Sequence, residues 1–263
     1  LLSANGATTI PSNVATLQVE TVTVVVSSQP SGATVNEGST ATFTTLGDVT
    51  MSPVGGNAAS SSFETDQFDT PSGGGGGAAG QSSHSPSVTY QWEKSDDSGS
   101  NWSSVGGATS ASYTTAATTY ADDHNDQYRC VISAVGAASS ANTSAVTLVV
   151  QRTFSITSQP SNVTANEGAT GTFSVSSSSS SGTPTYQWNR SDDGGNNYTQ
   201  VTGGTSASYT TPTTTFAADN NDRYTCTVSL VGSAATQTST FGLLTSLRVI
   251  TIGTQPQNVG VIE

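Results

Sequence analysis

The sequence predicts an all-β chain built as a tandem of β-sandwiches. Three observations predict it. The chain repeats itself: Tyr90-Gln91-Trp92 and Tyr128-Arg129-Cys130 return as Tyr186-Gln187-Trp188 and Tyr224-Thr225-Cys226, each 96 residues on. A repeat of about 100 residues is the size of one sandwich domain. Short runs of alternating apolar and polar residues lie between Gly, Ser and Asp clusters, and no window carries the spacing of an amphipathic helix.

Taken in order, residues 1–23 match the end of a unit. Leu2-Ser3-Ala4-Asn5-Gly6-Ala7 resembles Ile132-Ser133-Ala134-Val135-Gly136-Ala137, and Ala15–Val19 resembles Val146–Val150. Residues 24–151 form the first whole unit. Its opening markers, Ser28-Gln29-Pro30-Ser31 and Asn36-Glu37-Gly38, return 130 residues later, so this unit exceeds the 96-residue period by 34. The extra residues are expected at about 46–87, between the second and third strands. They include Phe63, Glu64, Asp66 and Phe68 and five consecutive glycines, Gly73–Gly77. A loop of this length is functional or mobile. One reading makes Phe63–Phe68 a docking segment for a neighbouring subunit or receptor. The other, favoured by the glycines, makes it a tolerated flexible insertion.

Val88–Trp92 alternates as a strand with one buried face, and Asp96–Gly99 and Asp192–Gly195 read as hairpin loops. Residues 152–250 form the second whole unit, with a short serine loop at 176–184. Residues 251–263 open another unit, because Thr254-Gln255-Pro256 repeats the marker after 96 residues. Two explanations suit the incomplete units at either end: a portion of a longer chain, or strands donated to a neighbouring subunit. Linkers of a few residues predict a semi-rigid array.

Within each unit the spacing resembles the immunoglobulin-like family. Trp92 and Trp188 stand where that family places its buried strand-C tryptophan. Tyr128 and Tyr224 precede Cys130 and Cys226 by two residues, the spacing of the tyrosine corner and the strand-F cysteine. The resemblance implies that all six are core residues. The wider phrasing is similar to Ig-like arrays in structural proteins of marine, cyanobacterium-infecting phages and in bacterial surface adhesins. The strand-B cysteine is missing; its place falls near Thr45 and Val175. The two cysteines occupy equivalent points in separate cores, too far apart to bridge, and are expected to be buried, inert thiols.

Composition excludes several functions. The net charge is −12, with Lys94 the one lysine beside five arginines. An acidic chain without a basic patch argues against nucleic acid and anionic membranes. No apolar run reaches the roughly 20 residues of a membrane span. Sandwiches without disulfides fit assembly in a reducing cytosol.

No catalytic residues are predicted. His84 lies in the insertion and His124 in an acidic turn, neither beside a nucleophile. Asp122, Asp123 and Asp126, with Asp219 and Asp222 in the second copy, are the candidates for calcium, set against a plain turn-capping role. No cofactor is expected. The resemblance implies a non-enzymatic virion structural protein (a fibre, spike or capsid decoration), displayed on the particle exterior and presenting loops for assembly or host attachment. Its partners would be further copies of the chain, other virion or surface proteins, and a cell-surface glycan or receptor. A bacterial surface adhesin or filament subunit is the alternative. A glycan-active enzyme, remotely, would need paired carboxylates in a cleft.

Overall fold

The computed structural model describes residues 20–53, 86–255 and 257. The first repeat contains β1 (Glu20–Ser28), β2 (Ala33–Asn36), β3 (Thr42–Thr44), β4 (Leu46–Pro53), β5 (Val88–Ser95), β6 (Ser103–Ser104), β7 (Ser112–Thr114), α1 (Tyr120–Asp123), β8 (Gln127–Ala134), β9 (Ala141–Asn142) and β10 (Val146–Gln151). The second contains β11 (Phe154–Ser158), β12 (Val163–Asn166), β13 (Thr172–Ser174), β14 (Ser176–Ser179), β15 (Thr185–Ser191), β16 (Thr199–Gln200), β17 (Ser208–Thr210), α2 (Phe216–Asp219), β18 (Arg223–Ser229), β19 (Gln237–Thr238) and β20 (Gly242–Leu247).

The two repeats have one topology. A six-stranded sheet runs β2-β10-β8-β5-β6 with β9 on β8, and its counterpart runs β12-β20-β18-β15-β16 with β19 on β18. The remaining strands pair as β1–β4 and β3–β7, and as β11–β14 and β13–β17. Among the named strands β2 pairs parallel with β10, and β12 with β20.

By compactness the chain separates into two units. The described parts of one are 20–31, 42–53, 86–113 and 127–146. The other gathers Gly32–Ala41, Thr114–Asp126 and the described residues from Thr147 onward, so it combines the second repeat with segments of the first.

Each core is built on four aromatic rings. In the first unit Phe43 stacks on Tyr128 with centroids 4.7 Å apart, and Trp92 and Tyr113 complete the group. In the second, Phe173 stacks on Tyr224 at 4.6 Å, with Trp188 and Tyr209 beside them. The tryptophans are fully buried, yet neither indole N–H is orphaned: Trp92 Nε1 donates to the Ser110 carbonyl and Trp188 Nε1 to that of Ser206, both at 2.9 Å. Satisfying that donor removes the penalty for burying it. Cys130 lies directly across from Trp92, and Cys226 from Trp188. Both thiols are free and buried, and burial pushes each up to about 11. Thr45 and Val175 are buried in turn, filling with a methyl-bearing side chain the place a strand-B cysteine would take.

Three boundaries differ from the sequence reading. The insertion does not begin at 46, because Leu46–Pro53 is strand β4, paired antiparallel with β1 from Glu20 to Ser28. The inward alternation that buries Phe43 and Thr45 continues through Gly47, Val49 and Met51. Gly47 within this strand serves packing: a Cβ there would come within 2.5 Å of the Ile132 side chain. The same pairing places Glu20–Thr23 in the first sandwich rather than in a preceding unit. In the second repeat, Ser176–Ser179 of the expected serine loop is likewise a strand, β14 paired with β11.

Hydroxyl pairs join the polar strands. Thr172 Oγ1 meets Thr210 Oγ1 at 2.9 Å, Ser174 Oγ meets Ser208 Oγ at 2.7 Å, and Ser155 Oγ meets Ser178 Oγ at 3.1 Å.

Candidate functional site

The acidic residues singled out from the sequence are held in turns. In the hairpin after β5, Asp97 accepts from Ser95 Oγ, the Asn101 backbone N–H and Asn101 Nδ2 at 2.6–2.8 Å. Hydrogen bonds from the Asn101 backbone and side chain and from Ser95 hold its carboxyl down to about 2. Asp193 repeats the arrangement with Ser191, Asn196 and Asn197 and is held lower still by the same kind of donors. Gly99 and Gly195 take φ of +88° and +97° in these turns, a region in which glycine carries no Cβ strain.

The calcium candidates sit at the corner before β8 and β18. Asp123 accepts from the Thr119 N–H at 2.8 Å and Asp122 from the Thr119 hydroxyl at 2.9 Å. Asp219 accepts from the Thr215 N–H at 2.7 Å and its hydroxyl at 3.1 Å. These bonds satisfy donors that one-turn helices leave open. Asp126 and Asp222 are buried. Asp222 pairs with Arg190, which also lies 3.5 Å from Asp219. Burial holds the Asp222 carboxyl above its ordinary value despite the guanidinium. Among the described residues no three His, Cys, Asp or Glu side chains converge on a metal-sized site. The five carboxylates are thus spread over two corners and not brought together.

A surface cleft of about 340 Å³ in the second repeat is lined by Arg190, Gln200, Tyr209, Asp219 and Tyr224. Its only carboxylate is Asp219, already engaged with Arg190 and Thr215. Burial raises both tyrosine hydroxyls. The cleft therefore contains neither a nucleophile beside a base nor a pair of carboxylates. The candidate binding residues Phe63, Glu64, Asp66 and Phe68, and His84, lie outside the described residues.

A polar cluster that sequence reasoning missed lies within the second compact unit. Glu37, in the Asn36-Glu37-Gly38 turn, accepts from the Tyr120 backbone N–H at 3.0 Å, from Ser180 Oγ at 2.6 Å and from Ser181 Oγ at 2.7 Å. Bonds from Ser180, Tyr120 and Ser181 hold its carboxyl below the usual range. Arg152 lies over the Tyr120 ring at 4.0 Å and donates from Nε to Ser181 Oγ at 2.9 Å and from Nη1 to the Val231 carbonyl at 3.2 Å. Two glycines make the fit possible. A Cβ on Gly232 would meet the Tyr120 ring at 2.4 Å, and one on Gly182 would meet Arg152 Nη1 at 3.0 Å. The members are scattered from residue 37 to 232. The available signal was that Glu37 and Arg152 return in the repeat as Glu167 and Arg248.

A family model described as a domain of unknown function (DUF8696) matches residues 70–152. No curated protein matches. Among solved structures, Sidekick-1 immunoglobulin domains 1–4 align over 86% of this chain at 13% identity and a TM-score of 0.48. This chain spans about half of that one, 49%. The titin I-band fragment I67–I69 aligns over 89% of this chain and 67% of its own at 13% identity, TM-score 0.37. Three N-terminal domains of the bacteriophage RB49 Highly Immunogenic Outer Capsid protein align over 87% of this chain and 71% of theirs at 14% identity, TM-score 0.37. The sheet order found in both repeats, the aromatic core and the unpaired thiols lead to one statement of what the chain is: a tandem of immunoglobulin-like β-sandwiches that lacks the inter-sheet disulfide.

Proposed function

We propose that the chain is a non-enzymatic structural module of a virion, a fibre, spike or capsid decoration, whose sandwiches position loops for subunit assembly or host attachment. The observation that carries the non-catalytic part is duplication. Asp97 and Asp123 return as Asp193 and Asp219, and all four accept from N–H or O–H groups of their own turns, as turn-forming residues do. The virion assignment rests on the resemblance of the repeated phrase, Tyr-Gln-Trp through Tyr-Arg-Cys, to phage structural arrays. Partners would be further copies, other particle proteins and a surface glycan or receptor, met through the poles or the 34-residue insertion. An adhesin or filament subunit is the second reading, favoured by the same repeat phrasing.

Antibody raised against the chain tests the assignment. Labelling of purified particles, seen by electron microscopy, is expected. Labelling confined to bacterial surfaces or extracellular filaments would replace the virion reading with the adhesin.

A further inference from the structure

We propose that the face formed by Glu167, Phe216 and Arg248 is a docking face for the serine-bearing turn of a further immunoglobulin-like repeat. In the cluster around Glu37, carboxylate, aromatic ring and guanidinium meet a Ser-Ser-Gly turn.

The second repeat carries the same three groups in the same relation. Glu167 sits in an Asn-Glu-Gly turn whose Gly168 has φ +88°, as Gly38 has +86°. The Glu167 N–H donates to the Leu247 carbonyl at 2.7 Å, matching Glu37 to Gln151 at 2.8 Å. Glu167 accepts from the Phe216 N–H at 3.4 Å, matching Tyr120, and Arg248 lies over the Phe216 ring at 4.4 Å, matching Arg152 over Tyr120. The difference is coverage. Glu37 and Arg152 are half-buried, whereas Glu167 and Arg248 are exposed.

Apolar residues beside this face identify the occupant. Ile250 is 90% exposed and Ile252 is 71% exposed. They stand 96 residues after Phe154 and Ile156, which lie in strand β11 and pack against the second core. Ile250 and Ile252 lie beyond the last strand, exposed, although their repeat equivalents belong to β11, and neighbouring large apolar side chains left in water fit a surface that another body covers. Their counterparts are covered by a sandwich, so the body that fits here is another sandwich, with Ile250 and Ile252 in its first strand. Its turn between the strands equivalent to β14 and β15 must offer hydroxyls to Glu167, as Ser180 and Ser181 do to Glu37, with glycine at the place of Gly182 in that turn and at the place of Gly232 after the strand equivalent to β18. The chemistry also excludes a poor partner: a turn with acidic residues in place of the serines would set a second carboxylate against Glu167.

The test lengthens the full chain by replacing residues 256–263 with a copy of residues 160–250, so that Thr254-Gln255 leads into a third complete repeat. Amide hydrogen exchange is read in the original and lengthened chains. Exchange at 166–168, Phe216, Ile250 and Ile252 is expected to slow at least about fivefold on lengthening. Glu167→Ala with Arg248→Ala should abolish the slowing at 166–168 and Phe216. The same pair of changes in the original chain gives the baseline for their purely local effect. Glu37→Ala with Arg152→Ala serves as the reference and should speed exchange at 180–182. No slowing in the lengthened chain, with the reference responding, overturns the proposal. A silent reference overturns it as well, because the contact it copies would then do nothing.

Discussion

Asp97 shows how much one exposed side chain can organise. Its carboxylate collects three donors within the hairpin and is held at about 2, against an ordinary 3.8. Because the folded value is depressed, the turn has its full stabilisation above about pH 4 and loses it as pH falls towards 2. NMR titration of the Asp97 carboxyl should show a midpoint near 2, with the Asn101 amide losing protection over the same range. A midpoint near 3.8 would mean that the turn does not form as described. The thiols move the other way. With Cys130 and Cys226 raised from 9.0 to about 11, the thiolate is some hundredfold scarcer at neutral pH. Labelling by a thiol reagent at pH 7.5 should be at least about 100-fold slower in the folded chain than in urea.

At the scale of elements, the strand pairs carry the stability. Trp188→Ala removes the centre of an aromatic group and should cost about 3–5 kcal/mol in urea unfolding. Arg190→Met is a sharper probe. It leaves Asp222, 2% exposed, without its guanidinium. The cost should be about 2–3 kcal/mol, below the full penalty for breaking a buried pair because Arg190 keeps a third of its side chain in water. The sequence made Trp92, Tyr128, Cys130 and their copies legible, because large residues at fixed spacing repeat in one phrase. Phe43 and Phe173 were not legible; each is the one aromatic residue among Thr and Ser in its strand, and its alternating partners, Thr45 and Val175, are small. Strand β4 was hidden because its residues were counted with the 34-residue excess of the first repeat, although they pair with β1. The Glu37 cluster was hidden for a third reason: its polar members meet only through the fold, and no local period connects them.

For the molecule as a whole, charge and hydroxyl content set the behaviour. With 18 acidic residues against six basic ones, the chain should show no measurable retention on DNA or on phosphatidylserine vesicles at physiological salt. Retention that falls with rising salt would reveal a basic surface that the repeats do not supply. The neutral hydroxyl pairs that join β13 to β17 and β11 to β14 bear on the medium the chain can tolerate. Ion pairs weaken once the screening length shrinks to a few ångströms, as it does near about 1 M salt. A contact between two uncharged hydroxyls has no such sensitivity. Fresh water, seawater and brine should therefore leave the sandwiches equally well joined along these strands.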